Sequence, residues 1–265
     1  MLRRKVKKMN QREKAVQLID ENGLRIDGRR MDELRPIKMQ VGLLDKADGS
    51  AYIEQGKNKI LAAVYGPREA HPKHVALPHR AVLRCRYHMA PFSTQERKSP
   101  APSRREQELS KVTREALEPA VLSEYYPRTM IDLFIEVLQS DGGSRCAGIT
   151  GASLALADAG VPMRGLVAAC AVGKIAGKIA LDLCDAEDKQ GDADLPVAIM
   201  PRSDAVTLMQ MDGILTPEEF ETAFDMAVKT CHIIHEQQKT ILKQRYLSIK
   251  QEVEEKTEQG RRKEE

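Results

Sequence analysis

Two stretches of this chain carry residue types suited to phosphate chemistry. In the first, Asp141-Gly142-Gly143-Ser144-Arg145 lies where an alternating segment stops and a run of small residues begins. Paired glycines let the backbone turn sharply and approach a ligand with no Cβ in the way, so the free N–H groups of a helix start can point at an anion. Ser144 adds a hydroxyl and Arg145 a planar, two-pronged cation. Taken alone, Gly-Gly-Ser between a strand and a helix is most often only a turn. The second stretch, read as a loop from Asp182 to Asp194, also holds Asp185, Glu187, Asp188 and Asp192. An acid-rich loop is ordinarily solvated surface. If Asp188 and Asp194 approach the anion cradle, however, one carboxyl can stay protonated long enough to donate to a leaving oxygen, or both can hold a divalent cation such as Mg²⁺.

A third signal is cationic. From Lys73 through Arg105 the chain carries eight Lys and Arg residues against a single acid, Glu96, a surplus that favours a polyanion. Within it, Ser103-Arg104-Arg105-Glu106 has the form of a capping box and opens a helix. Arg104 and Arg105 then occupy the first turn, where the helix dipole disfavours cations by about 0.3–1 kcal/mol each. That placement suits a neighbouring anion, the alternative being two solvated arginines screened by salt.

The elements that must position these residues follow from periodicity. Ile131, Leu133, Ile135 and Val137 fall on one face of an alternating pattern, which predicts a half-buried strand leading into the glycine turn. After the turn, Ala147, Ile149, Ala152, Leu154, Ala155 and Leu156 predict a closely packed helix. Leu109, Val112, Ala116, Leu117 and Val121 give the helix opened by Ser103 one apolar face. Hairpins are expected for 51–54 with 59–65, for 166–175 with 178–183, and for 197–200 with 205–211, and a further strand for 82–88. Thr216 and Pro217 start a long helix running toward Tyr246. Strand pairs followed by packed helices, twice over, indicate an α+β fold of mixed sheets and helices in two similar halves.

Composition narrows the function classes. The chain has 265 residues, 42% of them hydrophobic, enough to bury a substantial core. No apolar run approaches the ~20 residues needed to span a bilayer, and residues 1–8, though basic, lack the apolar stretch and cleavage site of a secretory signal. A cytoplasmic protein with no membrane partner is expected. Five cysteines with no Cys-x-x-Cys pair argue against a structural zinc site or a disulfide framework and are expected to be reduced thiols in or near the core. With no Trp and only four Phe, stacking on an aromatic platform cannot be the main mode of nucleic-acid binding. Walker-type, His-Glu-x-x-His and Gly-x-Ser-x-Gly motifs are missing, which removes the usual support for P-loop kinases, zinc hydrolases and serine hydrolases.

The ordered set Ala-Asp-Gly-Ser-Ala (47–51), Val-Tyr-Gly-Pro (64–67), Pro-Phe-Ser-Thr-x-Glu-Arg-Lys (91–98), Pro-Ser-Arg-Arg-Glu (102–106), Asp-Gly-Gly-Ser-Arg (141–145), Ala-Leu-Ala-Asp-Ala-Gly (155–160) and Glu-Asp-x-x-Gly-x-Ala-Asp (187–194) resembles the RNase PH family, and within it the catalytic subunits of the archaeal exosome. The combination is specific although each motif is weak. The resemblance runs over residues 22–250, leaving a basic arm (1–21) and a charged tail (251–265) outside it. It implies the RNase PH fold (ribosomal protein S5 domain 2-like) and phosphate-dependent 3′→5′ degradation of single-stranded RNA to nucleoside diphosphates, reversible as tail synthesis. It further implies a ring formed as a trimer of heterodimers with a related, non-catalytic subunit, and an RNA-binding cap.

Carried over by motif, Arg105, Gly143, Ser144 and Arg145 would hold inorganic phosphate, the co-substrate. Arg104 would grip RNA near its 3′ end, and Lys73 and His74 would line a channel constriction. Asp188 would be the catalytic acid, with Asp194 supporting it or a Mg²⁺ ion. A stand-alone transfer-RNA-trimming RNase PH shares these residues, but the 91–98 motif and the charged tail favour the exosome form. A non-catalytic scaffold subunit is disfavoured because Arg105, Ser144, Arg145 and Asp188 occur together.

Overall fold

The computed structural model describes residues 18–264 apart from Asn22, with side chains as far as residue 251. The basic arm expected over residues 1–21 therefore lies outside the described residues up to residue 17.

Two five-stranded sheets organise the chain. The first contains β1 (Ile37–Val41), β2 (Gly49–Gln55), β3 (Asn58–Glu69), β4 (Val82–Met89) and β5 (Thr129–Gln139) in the order β1-β2-β3-β5-β4, antiparallel except for the parallel β4–β5 pair. Helix α1 (Arg104–Leu117) makes the crossover between β4 and β5. The second sheet has β6 (Ala168–Ile175), β7 (Lys178–Leu181), β8 (Ala193–Met200) and β10 (Asp212–Gly213) in the order β10-β8-β6-β7, with β9 (Ala205–Met209) also paired to β8. Helix α2 (Ser144–Asp158) packs on strands of both sheets, and α4 (Pro217–Glu264) covers the second.

The expected hairpins and the strand before the glycine turn are all present. Residues 131, 133, 135 and 137 are buried on one face of β5, as their alternation requires. Strand β1 was not anticipated, although Ile37, Met39 and Val41 alternate. Helix α2 is buried nearly all round, from Ser144 to Leu156 apart from Arg145. Its Ala and Gly residues let two sheets approach it at once, which a one-faced amphipathic helix would not allow. Four of the five cysteines are buried, Cys85 is partly so, and all are free.

One expectation is corrected. The acidic stretch from Asp182 to Asp194 is not a solvated loop. It comprises the end of the β7 turn, a short helix α3 (Asp185–Gln190) and the first residues of β8. Asp182 and Glu187 are buried because each meets an arginine from the segment that precedes β1. Arg35 and Asp182 pair at 2.6 and 2.8 Å, and Arg25 and Glu187 form an ion pair with both side chains fully buried. Removing one partner of such a pair strands a charge out of water, at a cost of about 3–5 kcal/mol.

Candidate active site

The glycine turn exists because two consecutive residues take left-handed backbone angles. Gly142 has φ +71° and Gly143 has φ +66°, a region a side chain enters only at a cost. A methyl group at Gly142 would also come within 2.6 Å of Leu183 O, so only glycine lets this turn lie against the start of α3. Gly143 is the N-cap of α2 and no side chain caps it, which leaves the first turn open toward the cleft.

Arg105, Ser144, Arg145, Asp188 and Asp194 line one cleft of about 600 Å³. They come from four elements: the first turn of α1, the start of α2, the exposed face of α3 and the start of β8. All but Ser144 also line an adjoining groove of about 590 Å³ that reaches Asp212. On α1 the capping box is complete. Ser103 Oγ accepts from Glu106 N at 3.2 Å, and Glu106 accepts from Ser103 N at 2.7 Å. The other Glu106 oxygen accepts from Met89 N at 2.7 Å, fastening the arginine turn to β4. Arg104 is exposed and does not line the cleft. Lys73 and His74 sit apart on an exposed 3₁₀ turn, Lys73–Val75, between β3 and β4, where Lys73 pairs with Glu69 at 3.2 Å.

The two carboxyls differ in environment. Asp194 is pushed up to about 6, first by burial and then by the negative charges of Asp188 and Asp212, against the pull of Arg145 and Arg105. Asp188 is raised by desolvation at the cleft and by Asp185, with Arg105 and Arg145 opposing. The pair therefore retains a proton closer to neutrality than free carboxyls do. Among the described residues no group of three or more His, Cys, Asp or Glu side chains converges as a metal site. Mg²⁺ is commonly held by one or two carboxylates, completing its shell with water and substrate phosphates, and Asp188 with Asp194 fits that donor set.

Several contributors carried no local signal. Arg35 donates to Asp141 O at 2.5 Å, Gly142 O at 3.1 Å and Leu183 O at 3.2 Å, joining the glycine turn to the segment that leads into α3. Gln55 adds a 2.8 Å bond to Asp182. Arg145 is held by Gln210, and Arg97 and Lys98 add cations to the cleft wall. The surplus of cations before Arg105 and the 91–98 motif were the signals for the last two.

The 3′ exoribonuclease family matches this chain in both its parts, domain 1 over residues 33–162 and domain 2 over residues 165–230. The chain belongs to the RNase PH family of 3′ exoribonucleases. Its division into two family domains corresponds to the two sheets. Among curated relatives, the exosome complex component Rrp41 of Pyrococcus abyssi is 62% identical over 93% of this chain and 99% of its own length. The same component from Cenarchaeum symbiosum is 56% identical over 90% of this chain and 98% of its own. Among solved structures, rice Rrp46 superposes with a TM-score of 0.74 at 25% identity, covering 82% of this chain and all of that one. A chain of the Archaeoglobus fulgidus exosome with RNA bound to the active site gives a TM-score of 0.71 at 23% identity over 82% of this chain and 93% of its own, a likeness of fold. This RNase PH-family chain thus has the fold its motifs led us to expect.

Proposed function

We propose how the cleft residues divide the labour of a reaction whose class the family sets: the chain is an exosome component and a phosphorolytic 3′→5′ exoribonuclease. Inorganic phosphate lies among Arg105, Ser144 and Arg145, with Gly143 and the open start of α2 completing the cradle. One of its oxygens attacks the phosphorus of the terminal phosphodiester. The bond from that phosphorus to the ribose 3′ oxygen of the preceding nucleotide breaks. The last nucleotide leaves as a 5′-diphosphate, and the shortened RNA keeps a 3′-hydroxyl after taking up one proton. The Asp188–Asp194 pair supplies that proton, Asp188 being exposed and Asp194 half-buried in the same cleft. Phosphate is a weak nucleophile, so alignment among fixed cations and neutralisation of charge supply most of the acceleration. A Mg²⁺ ion would be held by the same two carboxylates and would supply neutralisation of charge on the phosphates.

The observation that carries this reading is the convergence of Arg105, Ser144, Arg145, Asp188 and Asp194 from four elements on one cleft. Outside it, Arg104 holds the RNA backbone, and Lys73 and His74, on their exposed turn, meet the strand before it enters. The catalytic unit spans residues 22–250, between the basic arm and the charged tail. It works in the cytoplasm, in a ring of three heterodimers with a related non-catalytic subunit and an RNA-binding cap. No helix among the described residues is long and apolar enough to cross a membrane. The test is product analysis with the assembled complex on end-labelled RNA. Degradation should require inorganic phosphate and yield nucleoside 5′-diphosphates. Monophosphates formed in phosphate-free buffer would sink the assignment.

A further inference from the structure

Tyr87 is 1% exposed and projects from β4 into the space between the first sheet and α2. Its ring passes so near the helix that a methyl group at Gly148 would lie 3.2 Å from Tyr87 Cε2. That path brings the phenol to the floor of the phosphate cradle, where Tyr87 OH donates to Ser144 Oγ at 3.0 Å. Among the described residues neither hydroxyl has another hydrogen-bond partner. We propose that Tyr87 is a positioning residue for phosphate, its hydroxyl occupying a lone pair of Ser144 Oγ so that Ser144 directs its own proton into the cleft.

The chemistry supports this direction of donation. A serine hydroxyl can accept and donate at once, and a buried phenol must find an acceptor. Burial pushes Tyr87 up to about 12, so it remains a donor throughout the working range of pH. With the Ser144 rotor fixed in advance, phosphate meets a donor already aimed at it, and less freedom is lost on binding. The same strand is tied to the arginine turn, since Tyr87 N donates to Ser110 Oγ at 2.8 Å and Met89 N donates to Glu106. Tyr87 thus aligns the hydroxyl while its strand holds Arg105 opposite.

This inference rests on the reading of Ser144 as a phosphate contact, and the test separates the two. Initial rates are measured with the assembled complex at saturating RNA over a phosphate titration, for Tyr87→Phe, Ser144→Ala and the double variant. Tyr87→Phe should raise the KM for phosphate about three- to tenfold, the effect of one neutral hydrogen bond, and leave kcat within about twofold. In the Ser144→Ala background the same change should add nothing. Gly148→Ala, which crowds the ring without removing the hydroxyl, should also raise the phosphate KM, and it covers the case in which Tyr87→Phe fails to fold. Additive effects in the double variant, or a normal phosphate KM in Tyr87→Phe or Gly148→Ala beside a raised one in Ser144→Ala, overturn the positioning role alone. A normal phosphate KM in Ser144→Ala overturns the phosphate assignment itself.

Discussion

Asp182 and Asp194 flank the same short helix and show how neighbours decide what burial does to a carboxylate. Burial raises both. At Asp182 the hydrogen bonds and charge of Arg35 override it and hold the group below its ordinary value, whereas Asp194 faces Asp188 and Asp212 and rises to about 6. The signs of their stability contributions are opposite. Asp182 stabilises the fold above the ordinary carboxylate range, and this is lost as pH falls through its lowered value. Asp194 favours the fold when protonated, so stability is given up as pH rises from 3.8 toward about 6. For catalysis, kcat/KM should fall as pH rises through about 6 in the free enzyme, as the shared proton leaves. Asp212→Asn removes a negative neighbour, favours the charged form of Asp194, and should move that limb to lower pH; an unmoved pH–rate profile would count against a protonated Asp194. Asp188→Asn should lower turnover by roughly 10²- to 10⁴-fold, as expected on losing a general acid, while phosphate affinity is kept or improved. Near-normal turnover would place the acid elsewhere. Arg105, Ser144, Arg145, Asp188 and Asp194 were readable because capping, turn and charge signals are local. Arg35, Gln55, Tyr87 and Gln210 were not, since their partners lie 147, 127, 57 and 65 residues away and no pattern in one stretch of chain encodes them.

Among the elements, α1 is the best announced and α3 the worst. Ser103 and Glu106 signalled the start of α1, and both capping bonds form. Because Glu106 also anchors Met89 N, Ser103→Ala should cost about 1 kcal/mol of stability and lower phosphate affinity modestly by loosening the Arg105 turn. Calorimetry together with a phosphate titration would check it, and an unchanged melting temperature would mean that the box contributes nothing. Helix α3 escaped notice because six residues are too few for a helical period to show, and its N-terminal bond is made by Cys184 N to Glu187, held in turn by Arg25. The helix is specified by a distant arginine rather than by its own propensity. Helix α2 was recognised from its small residues, not from amphipathicity, since only a helix buried between two sheets can dispense with a polar face.

At the scale of the molecule, the cleft lies where the two halves meet: α1 and the glycine turn come from the first, Asp194 from the second. The cationic surface outside the cleft supports a prediction of its own. Arg104 is exposed, so Arg104→Glu should leave the fold intact, weaken RNA binding and reduce the slope of log affinity against log salt by about 0.7 for each RNA phosphate that the arginine neutralises. Equal affinity and slope across the titration would remove Arg104 from the RNA path. Three of the arginines ahead of β1 carry a different implication. Arg25, Arg29 and Arg35 grip Leu181, Asp182 and Glu187, partners about 150 residues further along the chain. At about 5–20 residues per second, a ribosome needs roughly 7–30 s to deliver those partners after Arg35 has been made. Throughout that interval Arg25 lacks Glu187 and Arg35 lacks Asp182, while Arg29 has its local partner Asp27. Until Asp194, at the start of β8, has been synthesised, a nascent chain therefore carries no complete site beside the messenger RNA that encodes it.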